Sequence, residues 1–206
     1  MIAVFQQRKR IQFLWLISPL AVFLALYSRS AWPAGSVTAD LLRFSGLVLI
    51  LLCIAGRCWA SLYVGGRKNR HLVTSGPYAH SRNPLYLFSA FGLAGVGLLY
   101  GSLLLSFLLF ALAYAVFRFV IAREEVALQA IFGTEYLYYQ TAVPRFFPRI
   151  LPEAQRTTQV DLVEFSPPAL RRTAIDASYF LMALPAINVI QRLQSAQIIQ
   201  PLFAFY

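Results

Sequence analysis

The amino-acid sequence predicts an all-α integral membrane protein, a helical bundle with about four transmembrane helices. The first observation is compositional, since 59% of the residues are hydrophobic and only 13% are charged. Soluble globular domains carry about 25% charged residues, so much of this surface must face lipid. The second observation is that the apolar residues lie in long runs, each close to the length that crosses a bilayer. At 206 residues the chain is long enough for one compact domain.

Four apolar runs are predicted to span the bilayer, namely residues 11–27, 41–63, 85–100 and 102–122. Almost nothing separates the last two, so a tight turn at Gly101 must join them as an antiparallel hairpin. Gly97 and Gly101 form a GxxxG spacing, for which close helix packing is favoured over a cofactor-facing groove. Cys53 and Cys58 are interpreted as small packing residues, and no metal site is predicted because the sequence has no Cys/His cluster.

The remaining chain divides into an amphipathic segment, a polar linker and a second apolar stretch. The amphipathic segment, residues 123–148, has aromatic and acidic residues at helical spacing. Residues 174–190 are apolar but contain Asp176 and Asn188, so they form either a short fifth span or an interfacial helix, and the second alternative is favoured. We therefore predict a membrane domain over residues 1–150 and a helical C-terminal extension over residues 151–206, whose role the sequence does not define.

Positive charges predict the orientation of the chain, whose net charge is +10. The positive-inside rule places the more basic segments in the cytosol. On one side lie Arg8, Lys9, Arg10, Arg67, Lys68, Arg70, Arg82, Arg123, Arg145 and Arg149, and on the other Arg29, with Arg43 just inside a span. The N-terminus is therefore predicted to be cytosolic, with residues 64–86 and 123–148 on the same face. Anionic lipid headgroups suit such juxtamembrane charges better than nucleic acid does.

Both of these segments carry residues suited to a zwitterionic ligand such as S-adenosylmethionine. Tyrosine faces attract its sulfonium cation, and a carboxylate such as Glu124 suits its amino group. Backbone N–H groups or an arginine suit its carboxylate. Taken singly, these side chains are explained by turns, helix caps and an interfacial aromatic belt. Their clustering favours a cofactor site, where placement of donor and acceptor supplies much of the rate of methyl transfer.

The two segments contain four notable motifs, which are LVTSGPY, RNPLY, the Glu124–Glu125 pair and FGTEYLYYQTAVP. In order and spacing these motifs resemble the isoprenylcysteine carboxyl methyltransferases and their relatives, the phospholipid N-methyltransferases. The resemblance covers roughly residues 64–148 and implies an S-adenosylmethionine pocket built from both segments. The cofactor-binding residues that it implies are Arg70, His71, Leu72, Val73, Tyr78, Asn83, Pro84, Leu85, Tyr86 and Glu124.

The same resemblance bears on catalysis. Arg82 matches the arginine of the family's Arg-His-Pro motif and is predicted to order the site. Asn83 stands where eukaryotic carboxyl methyltransferases have His, and Val120 stands where they have an arginine, with Arg118 and Arg123 nearby. These departures favour a methyltransferase in general over the prenylcysteine substrate in particular.

The predicted function is methyl transfer to a lipophilic small molecule, a prenylated group or a lipid, with a carboxylate acceptor favoured. A carboxylate needs only orientation and charge screening, for which Arg82, Arg118 or Arg123 would serve. An amine or thiol must lose a proton, which Glu125 or His71 would accept. Two alternatives from other classes stay open: an NADPH-dependent membrane reductase and a non-enzymatic lipid-binding protein. The sequence does not indicate an oligomeric state.

Overall fold

The computed structural model describes residues 23, 26–33, 35–65, 71–148 and 166–206. Most of the predicted first span, residues 11–27, lies outside the described residues. Arg70 and most of the predicted polar linker also lie outside them.

The described chain is almost entirely helical, which confirms the predicted fold class. Its α-helices are α1 (Val37–Val64), α2 (Pro84–Tyr100), α3 (Leu103–Phe132), α4 (Thr134–Ala142), α5 (Pro167–Ser178) and α6 (Ala183–Ser195). A 3-10 turn at Gly76–Ala79 precedes α2, and another at Tyr179–Met182 joins α5 to α6. Two short strands, β1 (Ser28–Ser30) and β2 (Phe203–Phe205), pair in parallel.

Three helical segments of the described chain are long and apolar enough to cross a membrane: α1, α3 and the continuous stretch Pro167–Ser195. The helix α2 is also apolar but has only 17 residues. Large apolar side chains such as Phe44, Leu51 and Phe107 are exposed on the outside of the bundle. Exposure of this kind suits lipid, and the chain is a membrane protein.

The predicted hairpin between α2 and α3 is confirmed. Gly101 ends α2 with φ of 91°, a left-handed conformation that glycine adopts without steric cost. Ser102 then caps α3, since its hydroxyl accepts a hydrogen bond from the backbone N–H of Leu105 at 3.0 Å. The fourth predicted span and the first ten residues of the amphipathic segment form one helix, because α3 runs without a break to Phe132. The rest of that segment forms α4 and the chain after it.

The glycines of α2 serve helix packing, as the sequence predicted. A Cβ atom on Gly46 of α1 would overlap the backbone of Leu99, and one on Gly97 would overlap the backbone of Ser106 in α3. A Cβ atom on Gly92 would lie 2.7 Å from the sulfur of Cys53. Neighbouring helices therefore approach closely on both sides of α2.

The C-terminal helices α5 and α6 lie lengthwise against α1. The Ser61 hydroxyl donates to Thr173 Oγ1 at 3.0 Å near one end of α1. At the other end, Arg43 Nη2 lies 3.5 Å from Gln191 Oε1, and between these points Ile187 packs in the core with Ile50. Pro167–Ser195 is also long and apolar enough to cross a membrane. This length and the packing along α1 favour the spanning alternative for residues 174–190.

Candidate functional site

The polar loop before α2 and the segment after α3 meet at one end of the bundle. The hydroxyl of Tyr139 in α4 donates to the backbone carbonyl of Tyr78 at 2.7 Å. Leu72 from the loop and Leu128 and Phe132 from the end of α3 pack against the same buried cluster, which is Tyr136, Tyr139 and Val143. The structure thus brings together the two segments that the charge pattern placed on one membrane face.

A buried charge cluster joins these segments. Glu125 is 5% exposed, and its Oε1 lies 3.2 Å from Arg82 Nη1. Its Oε2 accepts a hydrogen bond from Arg145 Nη2 at 2.6 Å. The backbone also ties the chain after α4 to the loop, because the N–H of Arg82 donates to the carbonyl of Pro144 at 2.9 Å. The side-chain amide of Asn83 donates to the carbonyl of Arg145 at 2.9 Å.

Two guanidinium groups on one carboxylate leave this cluster with a net positive charge. Arg82 Nε is buried without a hydrogen-bond partner, and Glu125 Oε1 is ion-paired to Arg82 without the geometry of a hydrogen bond. Buried polar groups normally find partners, so the cluster has capacity to bind a further polar or anionic group. The low effective dielectric constant of a buried site strengthens the attraction between the cluster and such a group.

Glu124 faces a different neighbour from Glu125, because consecutive helical residues point about 100° apart. Its Oε2 accepts a hydrogen bond from the hydroxyl of Tyr86 at 3.1 Å, and the side chain is half-buried. The two adjacent glutamates therefore have separate tasks. One holds two arginines, and the other presents a carboxylate beside α2.

Three buried tyrosines stand next to these carboxylates. Burial raises the pKa of the Tyr78 and Tyr139 phenols well above the usual range, and nearby tyrosines raise both further. Burial also raises the pKa of Tyr136, with the Glu125 carboxylate as a second cause. All three phenols are therefore neutral at physiological pH and keep uncharged aromatic faces in the site.

A cavity of about 600 Å³ opens between α3 and the segment after α4. Aromatic and cationic side chains form most of its wall, and its lining residues are Arg82, Tyr114, Arg118, Ile121, Pro144, Arg145, Phe146, Phe147 and Pro148. The Tyr114 ring packs edge-on against the Phe146 ring, with 5.0 Å between their centroids. This cavity combines apolar walls with three guanidinium groups.

The structure separates the two arginines that the sequence could not distinguish. Arg118 lines the cavity, whereas Arg123 is exposed on another face of α3, 4.3 Å above the Phe119 ring. Arg123 is therefore not brought to the charge cluster, contrary to the expectation for a catalytic residue.

The other predicted cofactor-binding residues lie in the polar loop and at the start of α2. Pro84 is fully buried at the start of α2, while Val73, Asn83 and Leu85 are half-buried and His71 is exposed. Arg70 lies outside the described residues. Within the described ranges, no three His, Cys, Asp or Glu side chains come together as a metal site.

Sequence reasoning missed several residues that line the cavity, above all Tyr114, Arg145, Phe146 and Phe147. A usable signal existed for one of them. Tyr114, Arg118, Ile121 and Glu125 recur at helical spacing on one face of α3, inside an otherwise apolar run. The residues after Pro144 gave no such signal, because they lie outside regular structure.

The chain is similar in sequence to a known family of methyltransferases and to two named resistance proteins. A family model described as phospholipid methyltransferase matches residues 36–135. The chain is 36% identical over 157 residues to the cobalt-zinc-cadmium resistance protein CzcN of Cupriavidus metallidurans, covering 76% of this chain and 69% of that protein. It is 32% identical over 186 residues to the nickel-cobalt-cadmium resistance protein NccN of Alcaligenes xylosoxydans, covering 89% of this chain and 84% of that protein.

No solved structure matches the chain significantly. The matched family region contains α1, α2, the polar loop between them and all of α3. It therefore includes Arg82, Glu124 and Glu125 from the site described above. The family assignment confirms the resemblance drawn from the motifs: the chain belongs to the phospholipid methyltransferase family.

Proposed function

We propose that this membrane protein transfers a methyl group from S-adenosylmethionine to a lipophilic acceptor that ends in a carboxylate. The observation that carries the proposal is the arginine-rich base of the aromatic cavity beside α3. The family supports methyl transfer in general. The acceptor class comes from the charges and shape of the cavity.

The residues around Glu124 fit S-adenosylmethionine chemically. Glu124 offers a half-buried carboxylate for the amino group, with Tyr86 fixing one of its oxygens. The neutral tyrosines offer aromatic faces for a sulfonium cation. Leu72 and Phe132 offer apolar surface for the adenosine moiety. When bound, the cofactor supplies an electrophilic methyl group, and a carboxylate that receives it has no proton to lose.

The charge cluster favours a carboxylate over an amine or thiol. Both Glu125 oxygens already face arginines, at 3.2 Å and 2.6 Å, so this carboxylate is a poor proton acceptor for a neutral nucleophile. The guanidinium groups of Arg82 and Arg118 instead suit an anionic acceptor. Their charges would orient it, and the aromatic walls would exclude water.

Binding of the cofactor is the first test. Titration calorimetry with purified protein should detect binding of S-adenosylmethionine, and the Glu124→Ala variant should abolish it. Glu135→Ala is the matched control, because Glu135 is an exposed carboxylate on α4 and its loss should leave binding unchanged. Failure of the wild-type protein to bind either S-adenosylmethionine or sinefungin would refute the proposal. Binding of NADPH instead would favour the reductase alternative.

The acceptor class is the second test. Transfer of labelled methyl groups to a total lipid extract, followed by mild alkaline hydrolysis, distinguishes base-labile methyl esters from stable methylamines and thioethers. Arg118→Gln should raise the acceptor KM about tenfold, the effect of losing one charge-assisted hydrogen bond of about 1.4 kcal/mol or more. Arg123→Gln is the control and should have little effect. Equal effects of the two variants would show that the cavity does not bind the acceptor.

A further inference from the structure

A second cavity, of about 240 Å³, lies at the opposite end of the helices from the charge cluster. It opens between the start of α1, the end of α2 and the first two to three turns of α6. Its lining residues are Arg43, Phe44, Leu47, Leu99, Leu184, Ile187, Asn188 and Gln191. The proposed methyl transfer uses none of them.

The polar and apolar groups of this cavity are separated along the membrane normal. Arg43 lies one helical turn nearer the end of α1 than Leu47, a difference of about 6 Å. On α6, which runs antiparallel to α1, Gln191 lies about 10 Å nearer the same end than Leu184. The polar groups are therefore near the membrane surface and the apolar groups are deeper.

The polar end of the cavity is cationic. Arg43 is half-buried, and its hydrogen bond to Gln191 Oε1 is long, at 3.5 Å. In the part of the chain that the structure describes, no carboxylate pairs with it. A guanidinium group has five N–H donors, so most of them are available to a ligand. Asn188 adds an exposed amide one turn from Gln191 on the same helix.

We propose that this cavity binds a phospholipid with an anionic headgroup from the leaflet opposite the charge cluster. Arg43 would bind the phosphate, with Gln191 and Asn188 as hydrogen-bonding neighbours. An acyl chain would lie against Leu47, Leu99 and Leu184. Such a lipid would fill the gap between α1 and α6 and would stabilise the C-terminal helices against the bundle. Lipid binding in this cavity does not depend on the proposed methyltransferase activity.

Native mass spectrometry of the detergent-purified protein tests the proposal, with phosphatidylglycerol and phosphatidylcholine as probes. The first bound phosphatidylglycerol should bind more tightly than phosphatidylcholine. Arg43→Gln should weaken it about fivefold, the effect of one cation near an anionic headgroup, and Arg43→Lys should retain most of the affinity. Arg192→Gln is the matched control, because Arg192 is exposed at the same end of α6 without lining the cavity.

A second variant separates the lipid from a free anion. Leu47→Trp fills the apolar part and keeps Arg43, so it should lower phosphatidylglycerol binding, and excess inorganic phosphate should not displace the lipid. The proposal is overturned if Arg43→Gln and Arg192→Gln weaken binding equally. It is also overturned if Leu47→Trp has no effect or if inorganic phosphate alone competes fully.

Discussion

Replacing Glu125 by Gln removes the one negative charge of the buried cluster and keeps nearly the same side-chain volume. In the native protein that charge lies 3.2 Å from Arg82 Nη1 and 2.6 Å from Arg145 Nη2. The two arginines differ in exposure, at 10% for the Arg82 side chain and 43% for that of Arg145. Water therefore compensates Arg145 after the substitution but compensates Arg82 poorly.

The expected loss of stability follows from this difference. Removing one partner of a buried ion pair costs about 3–5 kcal/mol, because a charge is left buried without compensation. The ion pair between Glu125 and the exposed Arg145 side chain contributes about as much as a surface ion pair, about 0–1 kcal/mol. The glutamine oxygen keeps one hydrogen bond, worth about 1 kcal/mol. We therefore expect Glu125→Gln to cost about 2–4 kcal/mol, nearly all of it through Arg82.

Thermal unfolding of the protein in detergent micelles measures this loss. Glu125→Gln should lower Tm by about 4–16 °C, at about 2–4 °C per kcal/mol for a chain of this size, whereas Arg145→Gln should lower it by less than half as much. The double variant Arg82→Gln, Glu125→Gln should be no less stable than Glu125→Gln alone, because it removes the unpaired charge. If Arg145→Gln costs as much as Glu125→Gln, or if the losses in the double variant add, the buried charge is not the cause.

Two further predictions concern packing and pH. Gly46→Val would press a branched side chain against the backbone of Leu99, and we expect it to cost about 2 kcal/mol or more in thermal unfolding; Val48→Ala, at an exposed position on α1, should cost far less. Burial raises the pKa of Tyr78 and Tyr139, so the stability that their neutral forms contribute is complete below about pH 10 and falls as the pH rises further. Tm measured across this range should drop less steeply in Tyr139→Phe, and equal slopes would contradict the assignment.

The sequence predicted the helices well because lipid imposes simple rules. Apolar runs of spanning length must be helical, since every backbone N–H and C=O group needs an internal partner. The two adjacent apolar runs leave room only for a tight turn at Gly101, and the structure confirms this hairpin. The order of charges predicted that residues 64–86 and 123–148 lie on one face, and the Arg82–Glu125 ion pair is one of the contacts between them.

Other features depend on tertiary contacts that local patterns do not encode. The polar residues of the 174–190 stretch favoured an interfacial helix, yet the helices pack along α1 through Thr173 and Ile187. Pro185 lies in the first turn of α6, where a missing N–H is tolerated. Which of Arg118 and Arg123 faces the cavity depends on how α3 is rotated about its axis relative to the neighbouring helices.

The continuity of α3 connects these observations to the proposed chemistry. Tyr114 and Glu125 lie on the same helix about 16 Å apart along its axis, so their relative depth is fixed by the backbone. Tyr114 lines the apolar part of the cavity, while Glu125 holds the arginines at its base. A lipophilic acceptor lying along this face would have its polar end at the arginines and its chain toward the membrane. Glu124, next along the helix but turned toward Tyr86, would then hold the cofactor on the adjacent side. One helix would thus place the proposed acceptor and cofactor next to each other, which is the positioning that methyl transfer requires.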